Sequence, residues 1–315
     1  MSKMTEWLAE RRPQFDENNV YIPDTGYIGA SQTAACLGIS PWDTPHGLWL
    51  DKMGIETKTS TLAMRRGIRI EPFLSDEYKL MTGVRPRRSQ LYRHPKFSFI
   101  ACNPDREIVV GGKRGILQLK DVGYWPGKQF GIDGADQIPE HYLAQIQGEL
   151  MVCERYGFEF VQLCACVDGR DLRVFTYTHN TDLFEHAHVF DREATKKIFN
   201  YELNWWHNHI VNRIEPQMTG MDPDTEWLQR ERKNYPNGGV TNTDPETDRQ
   251  CVKLQASLVR EKRAKLVVAE RKNKIRRFMA TESAAVLEST VGEFTFKTDV
   301  NGKASFRVPF KSGDA

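Results

Sequence analysis

The sequence predicts a mixed α/β (α+β) fold, in which a central mixed β-sheet is flanked by helices and followed by a C-terminal helix and β-hairpin. Three observations predict it. Between residues 95 and 120, and again between 160 and 177, short apolar runs are punctuated by Gly and Asp in the manner of strands. On either side of these runs apolar residues recur at helical spacing, as at Tyr142, Ile146, Leu150 and Cys153. The chain has 315 residues, 39% hydrophobic and 27% charged, enough to bury a sizeable core and unlike a disordered composition.

Each element has a local reason. Met1 to Trp7 lacks an apolar core after its first charges, which argues against a secretory signal, and no apolar run reaches the roughly 18–20 residues of a membrane span. Ser31 is read as the N-cap of a short Ala-rich helix that stops at Gly38. Thr44-Pro45 opens a second helix that closes at Gly54, and a third runs from about Thr59 to Thr82, kinked or restarted at Glu71-Pro72. Strands follow at Phe97–Cys102, Glu107–Val110 and Gly115–Lys120, the last two joined by Gly111-Gly112. A helix from Pro139 to about Tyr156 leads to a hairpin, Phe160–Val167 and Leu172–Tyr177, turning at Asp168-Gly169. This reads as a β-meander between helices. A long amphipathic helix then carries Trp205 and Trp206 and stops at Pro216.

The expected organisation is a core of residues 1–217, a linker of residues 218–248 and a C-terminal module of residues 249–315. Tyr235 to Gly239 and Thr243-Asp244-Pro245 mark the linker. Arg249 to Met279 reads as one helix, with nine Lys and Arg from Arg260 to Arg277 against Glu261 and Glu270, and the closing hairpin turns at Asn301-Gly302. Six scattered cysteines without C-x-x-C spacing suit a reducing cytosol and exclude finger-type zinc. Cys164 and Cys166 should share one face of a strand as core residues. His186/His188 and His207/His209 are spaced i, i+2, which points helical side chains apart rather than onto a metal.

The chemistry concentrates at Asn103-Pro104-Asp105 and Gln118-Leu119-Lys120. Hydrolysing a phosphodiester near neutral pH calls for a hard divalent cation on oxygen ligands, able to activate water and shield the phosphate. A carboxylate at the end of one strand and an oxygen ligand on its neighbour can share such an ion. A lysine two residues along lies on the same strand face, placed to hold water and stabilise developing charge. Upstream stands Glu71, within Arg65-Arg66-Gly67-Ile68-Arg69-Ile70-Glu71-Pro72, and downstream Gln145, within Tyr142 to Gln147.

In this order the motifs resemble the YqaJ-type viral recombinase family, relatives of lambda exonuclease within the PD-(D/E)xK nuclease superfamily, over roughly Gly26 to Pro216. The resemblance implies a metal-dependent exonuclease that digests linear double-stranded DNA 5′-to-3′ in phage-type homologous recombination. It implies one or two Mg²⁺ (or Mn²⁺) ions at Asp105, Glu71, position 118 and the Leu119 carbonyl. Lys120 is then the catalytic lysine, Gln145 orients the site, and Ser31 meets the 5′-phosphate at a helix N-terminus. It also implies a ring-shaped homo-oligomer, often a trimer, a single-strand annealing protein as partner, and a phage or prophage protein in the bacterial host cytoplasm.

Two departures from the family pattern matter. The acid expected at the second motif position is Gln118, which keeps a carbonyl ligand and loses a negative charge. This branch works with Gln, or an upstream acid such as Glu71 compensates, or the chain is an inactivated Glu-to-Gln form made to trap substrate. The arginine expected before Ser31 is absent, which shifts phosphate capture toward Arg65, Arg66 or Arg69. In the C-terminal helix, Arg263, Arg276 and Arg277 are candidates for DNA contact, with docking of a partner protein or subunit as the alternative. Two rivals remain: a structure-specific or nicking endonuclease of the same fold, and a catalytically silent DNA-binding or adaptor protein. The net charge of +2 hides the segregation of basic and acidic segments, so near-neutrality does not exclude a nucleic-acid partner.

Overall fold

The computed structural model describes residues 9–56, 61–135, 137–180, 183–184, 186–233, 243–298 and 303–309. They fall into two compact units, one within residues 1–235 and one within 236–315. The features expected at Met1 to Trp7, at the Thr59 helix start, at Tyr235 to Gly239 and at Asn301-Gly302 lie outside the described residues.

In the first unit the chain enters through β1 (Ile28–Gly29), a 3-10 turn at Ala30–Gln32 and the single-turn helix α1 (Thr33–Cys36). Helix α2 (Pro45–Lys52) starts where the sequence places it, because Pro45 is pre-set for the first helical position and Thr44 accepts the Gly47 amide at 2.9 Å. Helix α3 (Leu62–Thr82) is capped by Thr61 and ends at Gly83, whose φ of +72° an L side chain adopts at a cost. Pro72 neither stops nor restarts this helix, contrary to expectation. Losing one amide donor is tolerated because buried Leu74 and Tyr78 dock the next turns onto the sheet.

The strands follow: β2 (Arg87–Arg88), β3 (Tyr92–His94), β4 (Phe97–Cys102), β5 (Arg106–Val110) and β6 (Lys113–Val122). The turn between β5 and β6 has Gly111 and Gly112 at φ +55° and +78°, the pair of positive values a tight hairpin needs. A short helix α4 (Tyr124–Gly127) and the long α5 (Glu140–Cys153) precede the hairpin of β7 (Phe160–Val167) and β8 (Asp171–Thr178). The short β9 (His188–Val189) and the helix α6 (Arg192–Trp205) complete this part, α6 running on as a π-helical stretch over Trp206–Val211.

The central sheet has the order β2-β5-β6-β7-β8-β9. It is mixed, as expected, but it is not a simple meander, since β6 and β7 run parallel over eight register pairs from Gly115↔Phe160 to Val122↔Val167. The crossover through α5 makes them so, because a helix between two strands returns the chain to the same end of the sheet. A second sheet, β1-β4-β3, flanks it. Alternation along β6 divides the core. Ile116 and Val122 pack with Ile146, Leu150 and Val152 of α5 on one face, while Leu117 and Leu119 pack with Leu74 and Tyr78 of α3 on the other. Cys164 and Cys166 lie together on the α3 face as free thiols, as their spacing requires. Trp205 and Trp206 are core residues, with Phe99 stacked on Trp206 at 5.2 Å.

Inside the stretch read as linker, Asp222–Arg232 is a helix, α7. Its buried Asp224 accepts from Thr44 Oγ1 at 2.5 Å and from Thr219, and its Trp227 meets His46 edge-on. These anchors are single polar and aromatic contacts in an acidic segment, which is why hydropathy alone reads it as a linker.

The second unit consists of helix α8 (Pro245–Thr281) and a three-stranded antiparallel sheet of β10 (Val286–Ser289), β11 (Gly292–Thr298) and β12 (Ala304–Arg307). The expected hairpin therefore gains a third strand. Asp244 caps α8 by accepting the Glu246 and Thr247 amides at 2.9 and 3.0 Å. Along α8, Leu254, Leu258, Val268 and Phe278 are exposed beside the basic residues.

Candidate active site

The site forms where β5 stops pairing with β6. Their register ends at Arg106↔Leu117, so the β6 backbone beyond Leu117 has no β5 residue opposite it. Asp105, just before β5, fills that place, its Oδ2 accepting the Leu119 amide at 2.8 Å and its Oδ1 standing outside that bond. Burial pushes the Asp105 carboxyl up, while Lys120, the Leu119 amide and Arg106 pull it down and Glu71 adds to the rise.

Glu71 reaches this centre from α3 and is held by a salt bridge to Arg106 Nη1, a group that also donates to the Asp105 carbonyl at 2.5 Å. Glu71 is thereby committed to an arginine. Its partial charge neutralisation makes it a weaker compensator for Gln118 than the sequence suggests.

On the opposite side of β6, Gln118 and Lys120 share the face that packs on α5. Gln118 is 1% exposed. Gln145 joins the two, as its Oε1 accepts from Lys120 Nζ at 3.1 Å and its Nε2 donates to Gln118 Oε1 at 3.3 Å. The Lys120 ammonium also lies 5.3 Å from the Tyr142 ring centroid. Glu71, Asp105, Gln118, Leu119, Lys120 and Gln145 thus converge in the structure as a single centre.

One residue at this centre was not expected from the sequence. Glu149 sits one turn after Gln145 on the same side of α5, 1% exposed, and its Oε1 accepts from Gln145 Nε2 at 2.8 Å. Its Oε2 is buried with no hydrogen-bond partner. Burial raises this carboxyl to about 8, a rise to which Asp105 adds and which the Gln145 and Gln118 amides and Lys120 only partly offset.

The phosphate-binding expectations fare differently. Ser31 is not an N-cap. It is the exposed middle residue of the 3-10 turn Ala30–Gln32, which Gly29 opens and the Gln32 side chain closes by accepting the Gly29 amide at 3.2 Å. The helix that follows has one turn, too short for the macrodipole that the anion-site reading assumed. The turn does lie near the centre, since Gly148 of α5 faces Ala30 and Thr33. Arg66 is spent on Asp121, with Nε and Nη2 at 2.7 and 3.4 Å from its carboxylate oxygens. Arg65 and Arg69 are exposed on α3. In the second unit Arg263 and Arg277 are exposed, whereas Arg276 lies 4.8 Å over the Phe306 ring and donates to Asn273, so it tethers the sheet to its helix.

The donors suit a hard divalent cation, being carboxylate, amide and carbonyl oxygens. An orphaned carboxylate oxygen inside a polar cluster calls for a partner that the protein itself does not supply, such as an ion or a water. Among the described residues no three His, Cys, Asp or Glu side chains are grouped as ligands, so a cation here would lean on amide and carbonyl oxygens as well.

Residues 6–156 match the family model of the YqaJ-like viral recombinase domain. An uncharacterized protein, YqaJ of Bacillus subtilis (strain 168), is 28% identical over 229 residues, which is 71% of this chain and 62% of that protein. The match therefore spans less than two thirds of that relative's length. Among solved structures, an alkaline exonuclease from Laribacter hongkongensis is 15% identical with a TM-score of 0.42, covering 73% of this chain and 98% of that one. A phage related exonuclease from Haemophilus somnus 129PT is 11% identical with a TM-score of 0.39, covering 60% and 96%.

Proposed function

We propose that this chain is a metal-dependent exonuclease that digests one strand of linear double-stranded DNA from its 5′ end during phage-type recombination. The observation that carries the reading is the pairing of Asp105, clamped by the Leu119 amide, with Lys120, clamped by Gln145, at the ends of adjacent strands. The match of residues 6–156 to the YqaJ-like viral recombinase domain model supports it.

Asp105 Oδ1, Gln118 Oε1 and the Leu119 carbonyl are the groups that would hold Mg²⁺ or Mn²⁺. When bound, such an ion supplies Lewis acidity toward a water and positive charge toward the phosphate. The remaining work falls to the chain. Lys120 keeps its ammonium fixed on Gln145, so it reaches a phosphate oxygen or the attacking water without first losing side-chain freedom. Hydrolysis forms one bond from water oxygen to phosphorus and breaks the bond to the 3′-oxygen. The Lys120 ammonium meets the negative charge that builds on the phosphate, while the Asp105 carboxylate would hold the cation. Exposed Arg65 and Arg69 near Glu71, and Arg263 and Arg277 on α8, give backbone contacts to DNA. The same reading takes a ring of identical subunits as the working form and a single-strand annealing protein as its partner.

The test uses an end-labelled linear duplex and a covalently closed circle. The reading expects nucleotide release from the linear duplex with Mg²⁺, none with chelator, and an intact circle. Cutting of the circle would make the protein an endonuclease instead.

A further inference from the structure

Position 118 carries no charge, and Glu71 is tied to Arg106, so Asp105 alone supplies an uncommitted anion to the centre. A divalent cation on oxygen donors gains most of its affinity from ligand charge. The structure holds a second carboxylate close by. Glu149 is fully buried, linked through the Gln145 amide to both Gln118 and Lys120, and presents one oxygen that no group satisfies. A purely structural glutamate in a core would find partners for both oxygens, because an unsatisfied buried acceptor keeps its full desolvation cost. Lone leucines or methionines, such as Leu150 and Met151 beside it, would fill the same volume without that cost.

We propose that Glu149 supplies the missing carboxylate of the metal centre, its Oε2 ligating the cation that Asp105 also holds, with the charge moved from strand β6 to helix α5. The inference rests on the metal-centre reading above and deepens it. Gln118 is then no lesion: the amide stands where a second strand carboxylate would crowd Glu149, and two like charges at that separation would each resist ionisation. Gln145 acts as a positioning residue that fixes Glu149, Gln118 and Lys120 through one amide group.

The experiment measures Mn²⁺ affinity of the DNA-free protein by the electron paramagnetic resonance of free Mn²⁺. Wild type, Asp105→Asn, Glu149→Gln and the swap Gln118→Glu/Glu149→Gln are compared, with thermal unfolding in chelator as the control for folding. Glu149→Gln is isosteric and keeps the bond from Gln145 as an acceptor. The expected result is a loss of about 10- to 100-fold in affinity for Asp105→Asn and for Glu149→Gln, and recovery to the wild-type range in the swap. Unchanged Mn²⁺ affinity in Glu149→Gln overturns the assignment, and so does a folded swap variant that fails to recover. If Glu149→Gln binds Mn²⁺ normally while wild type digests linear duplex, the Glu149 assignment falls and the exonuclease reading stands. If the swap recovers binding while wild type digests no duplex, the exonuclease reading falls and the Glu149 assignment stands.

Discussion

Glu202 offers a quantitative test of the fold at a point remote in sequence from the metal centre. It lies on α6, 1% exposed, and its Oε1 accepts the Thr33 hydroxyl at 2.6 Å, tying α6 to α1. Burial lifts its carboxyl to about 7 from an ordinary 4.5, and the Thr33 bond offsets only part of the rise. A carboxyl raised in the folded state stabilises below its unfolded pKa, and that contribution is lost as pH rises through the folded value. The rise of about 2.5 units corresponds to roughly 3 kcal/mol between about pH 4.5 and pH 8. Glu202→Gln keeps an acceptor for Thr33 and removes the titration. Urea unfolding followed by fluorescence of the neighbouring Trp205 and Trp206 should show wild type losing stability over this window relative to the variant. The variant should be the more stable protein above about pH 7. Every other titrating group is common to both proteins, so parallel curves would refute the argument that Glu202 is buried without a cation.

Further outcomes follow from the same structure. Gly115→Ala would put a Cβ 2.2 Å from Phe160 Cζ across the β6/β7 pair, so calorimetry should show a loss of about 1–3 kcal/mol or more. Lys120→Ala should lower turnover of linear duplex by about 10²–10³-fold, and Gln145→Ala should lower it less, since it frees Lys120 without removing it. Arg263→Ala/Arg277→Ala should weaken duplex binding for all sequences and shallow the salt dependence by about one to two units in a titration against salt, whereas a helix that never touches DNA would leave the slope unchanged.

Much of the architecture was legible in the sequence because it rests on local rules. Thr44-Pro45, Gly83 and Gly111-Gly112 specify backbone conformations by themselves, and alternation along β6 sorts Leu117 and Leu119 from Gln118 and Lys120. What was missed depends on non-local pairing. The parallel β6/β7 pair follows from where α5 lands, and the persistence of α3 through Pro72 follows from Leu74 and Tyr78 docking on a sheet formed later in the chain. The same division holds at the site. Asp105, Lys120 and Gln145 were recognisable by motif order, while Ser31 was assigned a cap that the backbone gives to Gly29. Glu149 was passed over although a signal existed. It is an acid four residues after Gln145, among Ile146, Leu150, Val152 and Cys153, with no Lys or Arg within four positions to pair it. A carboxylate in such company is either neutral or waiting for a cation, and only the structure shows which polar groups surround it.

The most direct measurement of the central claim is Mg²⁺-dependent release of nucleotides from an end-labelled linear duplex by wild type and by Asp105→Ala, each checked for folding. The account predicts digestion from the 5′ end by wild type, its loss with chelator, and none by the variant. A wild-type protein that leaves the duplex intact in Mg²⁺ and Mn²⁺, or an Asp105→Ala variant that digests it at the wild-type rate, would contradict the account.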